Sequence, residues 1–200
     1  MKRFTLSKVI FSILIFTLST ILNAAPEFNK IWETNAAFKL PESVIYDKEN
    51  EILYVSNMQD DPFKKDKNGF ISKVDLNGKI LKLKWIKGLN APKGLAISKG
   101  KLYVGDVDQL VEIDIKKGKI IKKHDAIGAA LLNDVAADTK GNIYVSDTFT
   151  DTIYRLNTFG QLTKWLYSPE LQAPNGLHYE KGQLIVCLLY TSDAADERSS

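Results

Sequence analysis

Cysteine is nearly absent from this 200-residue chain: one residue, Cys187, stands close to the C-terminus. No disulfide framework is available, so stability has to come from an apolar core. An excess of one charge is missing as well, with 27 Lys and Arg against 24 Asp and Glu. No strongly basic face is implied, and nucleic acid is excluded as an expected partner. Apolar residues at helical spacing are lacking throughout, which excludes solenoids of helix pairs. The longest apolar run, Val9 to Leu22, falls short of the ~20 residues a membrane-spanning helix needs. No serine lies in a nucleophile-elbow motif, which removes a serine hydrolase from consideration.

The two ends read differently from the middle. Lys2, Arg3 and Lys8 precede the apolar run, and Ala24 and Ala25 follow it. This is the order of a secretory signal peptide, residues 1–25, rather than of a retained anchor. No cysteine lies near that site, so a lipid anchor is not expected. The mature protein is expected to be bacterial, exported to the periplasm or beyond, with no membrane span after cleavage. From Cys187 the text CLLYTSDAADERSS loses the alternation that precedes it. It resembles an in-frame translation of a DNA-sequencing adaptor, so residues 187–200 are expected to be non-native. Without both ends, 23 basic and 21 acidic residues remain, a net charge of +2.

Between these ends the chain repeats itself. The clearest copy is LNDVAADTKGNIYVSD, Leu132 to Asp147, two alternating runs around Thr139-Lys140-Gly141-Asn142. That pattern predicts a β-hairpin. Related hairpins begin at Leu40-Pro41-Glu42, Ala91-Pro92-Lys93 and Ala173-Pro174-Asn175, and further strand pairs follow the first three. Four short strands per unit, repeating about every 40 residues, predict an all-β fold of the β-propeller class. A β-sandwich has a similar strand count and is the alternative. Residues 26–186 would supply blades 1 to 4, the last incomplete, about three and a half blades of a truncated fragment. The segment Glu27 to Phe38 reads as one further strand, outermost in a closing blade.

In a propeller the first strand of each blade lines the central channel. Glu42, Lys93, Asn133 and Asn175 occupy the same place in the four units and are expected to converge at one mouth. A carboxylate and two amide carbonyls form a hard-oxygen set suited to Ca²⁺, Mg²⁺ or Mn²⁺. The same residues also serve local turns, capping strand starts through their own backbone, and the repeat alone leaves both readings open.

Pro41-Glu42, Asn133-Asp134 with Asp138 and Gly141, and Pro174-Asn175-Gly176-Leu177 resemble motifs of the gluconolactonase and regucalcin-like family of six-bladed propellers. The resemblance covers about Leu40 to Val186. It implies one channel metal, calcium foremost with magnesium, manganese or zinc as alternatives, held by Glu42 and Asn175. Asn133 would lie beside metal and substrate. The implied activity is hydrolysis of a lactone or related ester. The family takes a further Asp from a fifth blade, so no catalytic residue is assigned here. An Arg common two residues before the blade-three Asn is Leu131, and the Gly common after the first Glu is Ser43. Both changes weigh against a polar sugar lactone. A non-catalytic propeller of the NHL-repeat kind, binding a small ligand, glycan or peptide, is the second reading.

Other residues receive plainer expectations. Lys93 would bind an anionic substrate or form an ion pair with Glu42, the pair being the commoner arrangement for a channel charge. His124 is expected in solvent, and His178, which alternation does not put on the face of Asn175, is expected to pack structurally. Trp32, Trp85 and Trp165 would pack between blades in outer strands, and Met58 to Asn68 would form a solvated loop at the channel mouth that could gate a ligand.

Overall fold

Alternating apolar positions separated by Gly- and Asp-rich turns become antiparallel strands along the whole repeat. The computed structural model describes residues 29–189, and from Trp32 onward these belong to one compact unit. The expected leader and most of the atypical tail lie outside the described residues. Strands β1 (Pro41–Asp47), β2 (Ile52–Asn57), β3 (Gly69–Val74) and β4 (Ile80–Leu89) form the first sheet. β5 (Pro92–Ser98), β6 (Lys101–Asp106), β7 (Gln109–Asp114) and β8 (Lys119–Asp125) form the second. β9 (Leu132–Ala137), β10 (Ile143–Asp147), β11 (Thr152–Leu156) and β12 (Leu162–Tyr167) form the third. After a 3-10 turn at Pro169–Leu171, β13 (Pro174–Glu180) pairs with β14 (Gln183–Leu188). Each sheet is a meander in chain order, and β1, β5, β9 and β13 touch in succession. This is a β-propeller, with three four-stranded blades and two strands of a fourth.

The core lies between blades. Leu95, Leu102, Val104, Val111 and Ile113 of the second sheet pack on Tyr54, Ile71 and Leu89 of the first. On the opposite face, Ala96, Tyr103 and Leu110 pack on Leu132, Val135, Ile143 and Val145 of the third. Neighbouring residues such as Leu102 and Tyr103 therefore serve different cores. This is the consequence of two-residue alternation in a sheet covered on both faces. Ala136, Tyr144 and Ile153 repeat the arrangement against Leu177.

The turns follow local chemistry. Asp138 Oδ1 accepts from the backbone N–H groups of Lys140, Gly141 and Asn142, and Asp47 Oδ1 does so from Glu49 and Asn50. Such carboxylate-closed turns fix the hairpin register. Gly141, at φ +97°, takes a backbone conformation that side chains disfavour.

Several expectations need correction. Residues 29–38 contain no strand, so Ile31 to Phe38 does not supply an outer one, and Trp32 instead covers Gly78 in the β3–β4 turn. Trp85 does lie in an outer strand, stacked on Tyr54 at 4.8 Å and abutting Gly118 of the next blade. Trp165 meets Tyr144 of its own blade edge-on, and Tyr144 in turn shares a core cluster with Leu177 of the fourth blade. His124 is buried, with Nε2 3.0 Å from Glu112 Oε2, while Lys101 engages the other oxygen. The neighbouring lysines suggested a wet strand, but the alternation turns His124 inward between them. β14 also runs through Cys187 to Leu188, past the point where the alternation of residue types fades.

Candidate functional site

Glu42, Lys93, Asn133 and Asn175 are each the second residue of an innermost strand: β1, β5, β9 and β13. In all four blades the pairing loses register at that place. The breaks fall between Pro41 and Val44, between Pro92 and Leu95, opposite Val145 and Asp147, and between Pro174 and Leu177. A bulge frees backbone groups and re-aims side chains, here at the four candidate positions.

The freed groups are satisfied by the second strand of each blade. Ser56 Oγ accepts from Ser43 N at 3.0 Å, and Ser146 Oγ accepts from Asp134 N at 3.0 Å while donating to Asn175 O at 2.7 Å. Gly105 takes this place in the second blade, where a Cβ would come 2.7 Å from Asn133 O. One residue on, an acid or amide ties down the segment leading into the inner strand. Asn57 Oδ1 accepts from Lys39 N, Asp106 from Asn90 N and Ala91 N, and Asp147 from Ala130 N and Leu131 N. In the fourth blade that place is Leu188, opposite Pro174, and Ala173 N donates to Asp151 Oδ1 instead. Ser56, Ser146 and Asp147 therefore recur with the blades for a structural reason.

Asn133 is more than nine-tenths buried. Its Nδ2 donates to Thr148 Oγ1 at 3.1 Å, and Thr148 Oγ1 in turn donates to Pro174 O at 2.9 Å. Its Oδ1 is buried and accepts nothing. A buried amide oxygen without a donor is costly, so the position suits a ligand that supplies positive charge or a hydrogen bond.

Asp134, beside it, faces the channel. Its oxygens accept from Val135 N at 2.8 Å and Leu177 N at 2.7 Å, tying β9 to β13. Gly94 leaves the room it needs, since a Cβ there would overlap Asp134 Oδ1 and the Asn133 carbonyl. Burial pushes the Asp134 carboxyl above its usual range, and the two backbone donors oppose that shift. Glu42, the second residue of β1, is solvent-exposed. Desolvation first, and then the charge of Asp134, push its carboxyl up to about 6, with Lys93 pulling the other way.

Lys93 is buried, and its ammonium donates to Pro62 O at 2.7 Å and Ala91 O at 3.1 Å. The ion pair with Glu42 is not formed. Burial lowers the Lys93 pKa, while Asp106, Glu42 and Asp61 support the charge from beyond contact distance. Backbone carbonyls take the place of the carboxylate because the 58–68 connection folds over the channel mouth. Asn175 is half-buried and follows a buried Pro174. His178 is exposed rather than packed, because its neighbours Leu177 and Tyr179 turn to the third blade, and it lines the cavity bounded by the four inner strands.

The donors fit a hard cation. Asn133 Oδ1 is an unspent oxygen, and burial raises the proton affinity of both Glu42 and Asp134, with the Asp134 charge adding to the Glu42 shift. Among the described residues no three His, Cys, Asp or Glu side chains are grouped as a metal site. A cation held here would need the amide oxygens of Asn133 and Asn175 as further ligands. Sequence reasoning assigned no role to Asp134, Thr148 or Gly94. Their part is visible only once β5, β9 and β13 stand side by side, although Ser43, Gly94, Asp134 and Gly176 do share one place in the repeat.

No protein-family model matches the sequence, and no curated protein matches it. Solved structures do match in fold. A streptogramin B lyase aligns with a TM-score of 0.59 at 14% identity, over 80% of this chain and 58% of that one. Virginiamycin B lyase from Staphylococcus aureus aligns with a TM-score of 0.58 at 12% identity, over 74% and 48%. A gluconolactonase from Xanthomonas campestris aligns with a TM-score of 0.57 at 16% identity, over 74% and 53%. The chain thus spans about half the length of the structures it resembles. At these identities the likeness establishes the propeller fold alone.

Proposed function

We propose that the chain is part of an exported, metal-dependent hydrolase of lactones or related esters, similar to gluconolactonases. The observation that carries this reading is Asn133 Oδ1, buried and without a donor, at the strand position that Glu42 holds in the first blade and next in the chain to Asp134, whose charge Glu42 feels. Glu42, Asn133 and Asn175 would hold a divalent cation, calcium being favoured by an all-oxygen set and magnesium, manganese or zinc being alternatives. When bound, the cation would supply Lewis-acid polarisation of the substrate carbonyl.

The chain's own groups do the rest. Thr148 holds the Asn133 amide so that its oxygen, not its nitrogen, is presented. Asp134 keeps a fixed negative field behind Glu42 while its oxygens remain occupied by backbone donors. Lys93 spends two of its three N–H groups on carbonyls, leaving one for the carboxylate that hydrolysis produces. The leader-like residues 1–25 support export to the periplasm or the medium.

The test is hydrolysis of a lactone panel by the full-length gene product, loaded with calcium or stripped with EDTA. Loss of turnover on stripping and recovery on adding calcium is expected. Equal rates in both states would sink the metal role. Calcium binding without turnover of any lactone would favour the NHL-like binding module, a reading supported by Leu131, which is buried, apolar and presents no charge to a substrate.

A further inference from the structure

The connection from β2 to β3, residues 58–68, leaves its sheet at the end where Glu42 sits, since Asn57 pairs with Pro41. It then crosses the mouth. Lys93 of the second blade binds Pro62 O. Lys65 Nζ meets Asp108 Oδ2, in the β6–β7 turn of the same blade, at 2.6 Å. Phe63 stacks on Phe149, in the β10–β11 turn of the third blade, with ring centroids 6.0 Å apart and planes at 22°. One segment of the first blade is thus tied to the second and third.

Both rings remain in water, with Phe63 56% and Phe149 60% exposed. Exposed aromatic surface held at a fixed place by polar ties is a mark of ligand contact rather than of core packing. Each ring is also one residue from a group bound to the candidate site. Pro62 precedes Phe63 and accepts from Lys93, while Thr148 precedes Phe149 and accepts from Asn133.

We propose that Phe63 and Phe149 form an apolar wall at the channel mouth that selects lactones or esters carrying an alkyl or aryl group. The inference rests on the hydrolase reading and deepens it. The apolar group lies on the two rings, which shed water to receive it, while the carbonyl end reaches the polar residues at Asn133 and Glu42. A sugar lactone would instead set hydroxyl groups against the rings, and those hydroxyls would lose hydration without gaining partners.

The experiment compares the calcium-loaded full-length gene product with its Phe63→Ala/Phe149→Ala variant on γ-butyrolactone and γ-nonalactone. The wild type is expected to prefer the longer lactone in kcat/KM. The double substitution is expected to lower the nonalactone-to-butyrolactone ratio about tenfold, from lost apolar contact. A Phe63→Leu/Phe149→Leu variant should recover most of the ratio. An unchanged ratio, or a wild type that prefers gluconolactone, overturns the proposal. Calorimetric titration with γ-nonalactone separates this inference from the one beneath it. If neither lactone is turned over, the hydrolase reading fails, yet about tenfold weaker binding by the alanine variant still upholds the wall. Equal binding by both proteins, or none by the wild type, refutes it.

Discussion

Asp147 offers the sharpest test of how the inner strands are held in place. It is fully buried, and its oxygens accept from Ala130 N at 2.9 Å, Leu131 N at 2.9 Å and Thr150 Oγ1 at 2.7 Å. Replacing it with alanine removes all three bonds. Ala130 is exposed and its N–H can turn to water, but Leu131 is buried. Losing hydrogen bonds to a charged group costs about 1.5–3 kcal/mol, and orphaning the Leu131 N–H adds about 1–3 kcal/mol. Asp147→Ala should therefore cost about 4 kcal/mol, taking the middle of both ranges with one donor rescued by water. Asp147→Asn should cost less, about 1–2 kcal/mol, because one oxygen remains to accept from Leu131. The first blade already uses Asn57 at this position, with its Oδ1 on Lys39 N. Urea unfolding of the full-length protein, followed by tryptophan fluorescence, reads the difference as a fall of about 1 M or more in midpoint for the alanine variant. An alanine variant within 0.5 kcal/mol of wild type, about the scatter of neutral surface changes, would refute the account of the repeated acid. So would an asparagine variant less stable than alanine.

Two further outcomes follow from the same geometry. Gly94→Ala puts a methyl group against Asp134 and the Asn133 carbonyl, so β5 and β9 must part. The expected cost is about 1–3 kcal/mol in urea unfolding, with weakened calcium binding by titration calorimetry, and a wild-type result in both would show that the strands have slack. Glu42 carries the pH prediction. Its pKa is raised from 4.5 to about 6 in the folded protein. The folded state therefore holds this proton more tightly than the unfolded chain, and metal-free protein loses stability as pH rises through that window. Cation and proton compete for the carboxyl, so calcium affinity should fall about tenfold per pH unit below about 6. Glu42→Gln should bind calcium weakly and without this pH dependence, and a wild-type pH profile in that variant would remove Glu42 from the site.

The sequence by itself determined the strands, their grouping in fours and the shared register of Glu42, Lys93, Asn133 and Asn175. These are local properties, because a two-residue period and an Asp-closed turn are written within a few positions of each other. It was also enough to put the Met58 to Asn68 connection at the mouth. Only the tertiary structure decided what those residues meet. His124 looked solvated among lysines, yet the strand turns it inward onto Glu112. Lys93 looked like the partner of Glu42, yet a loop from another blade brings a carbonyl to it first. Ile31 to Phe38 has the composition of a strand but no sheet edge to pair with, and composition cannot supply one. Asp134 and Gly94 matter because a carboxylate in one blade fills the space that a missing side chain leaves in the next. Register within a blade is set by neighbours in the chain, whereas the site is made between blades, by residues about 40 positions apart.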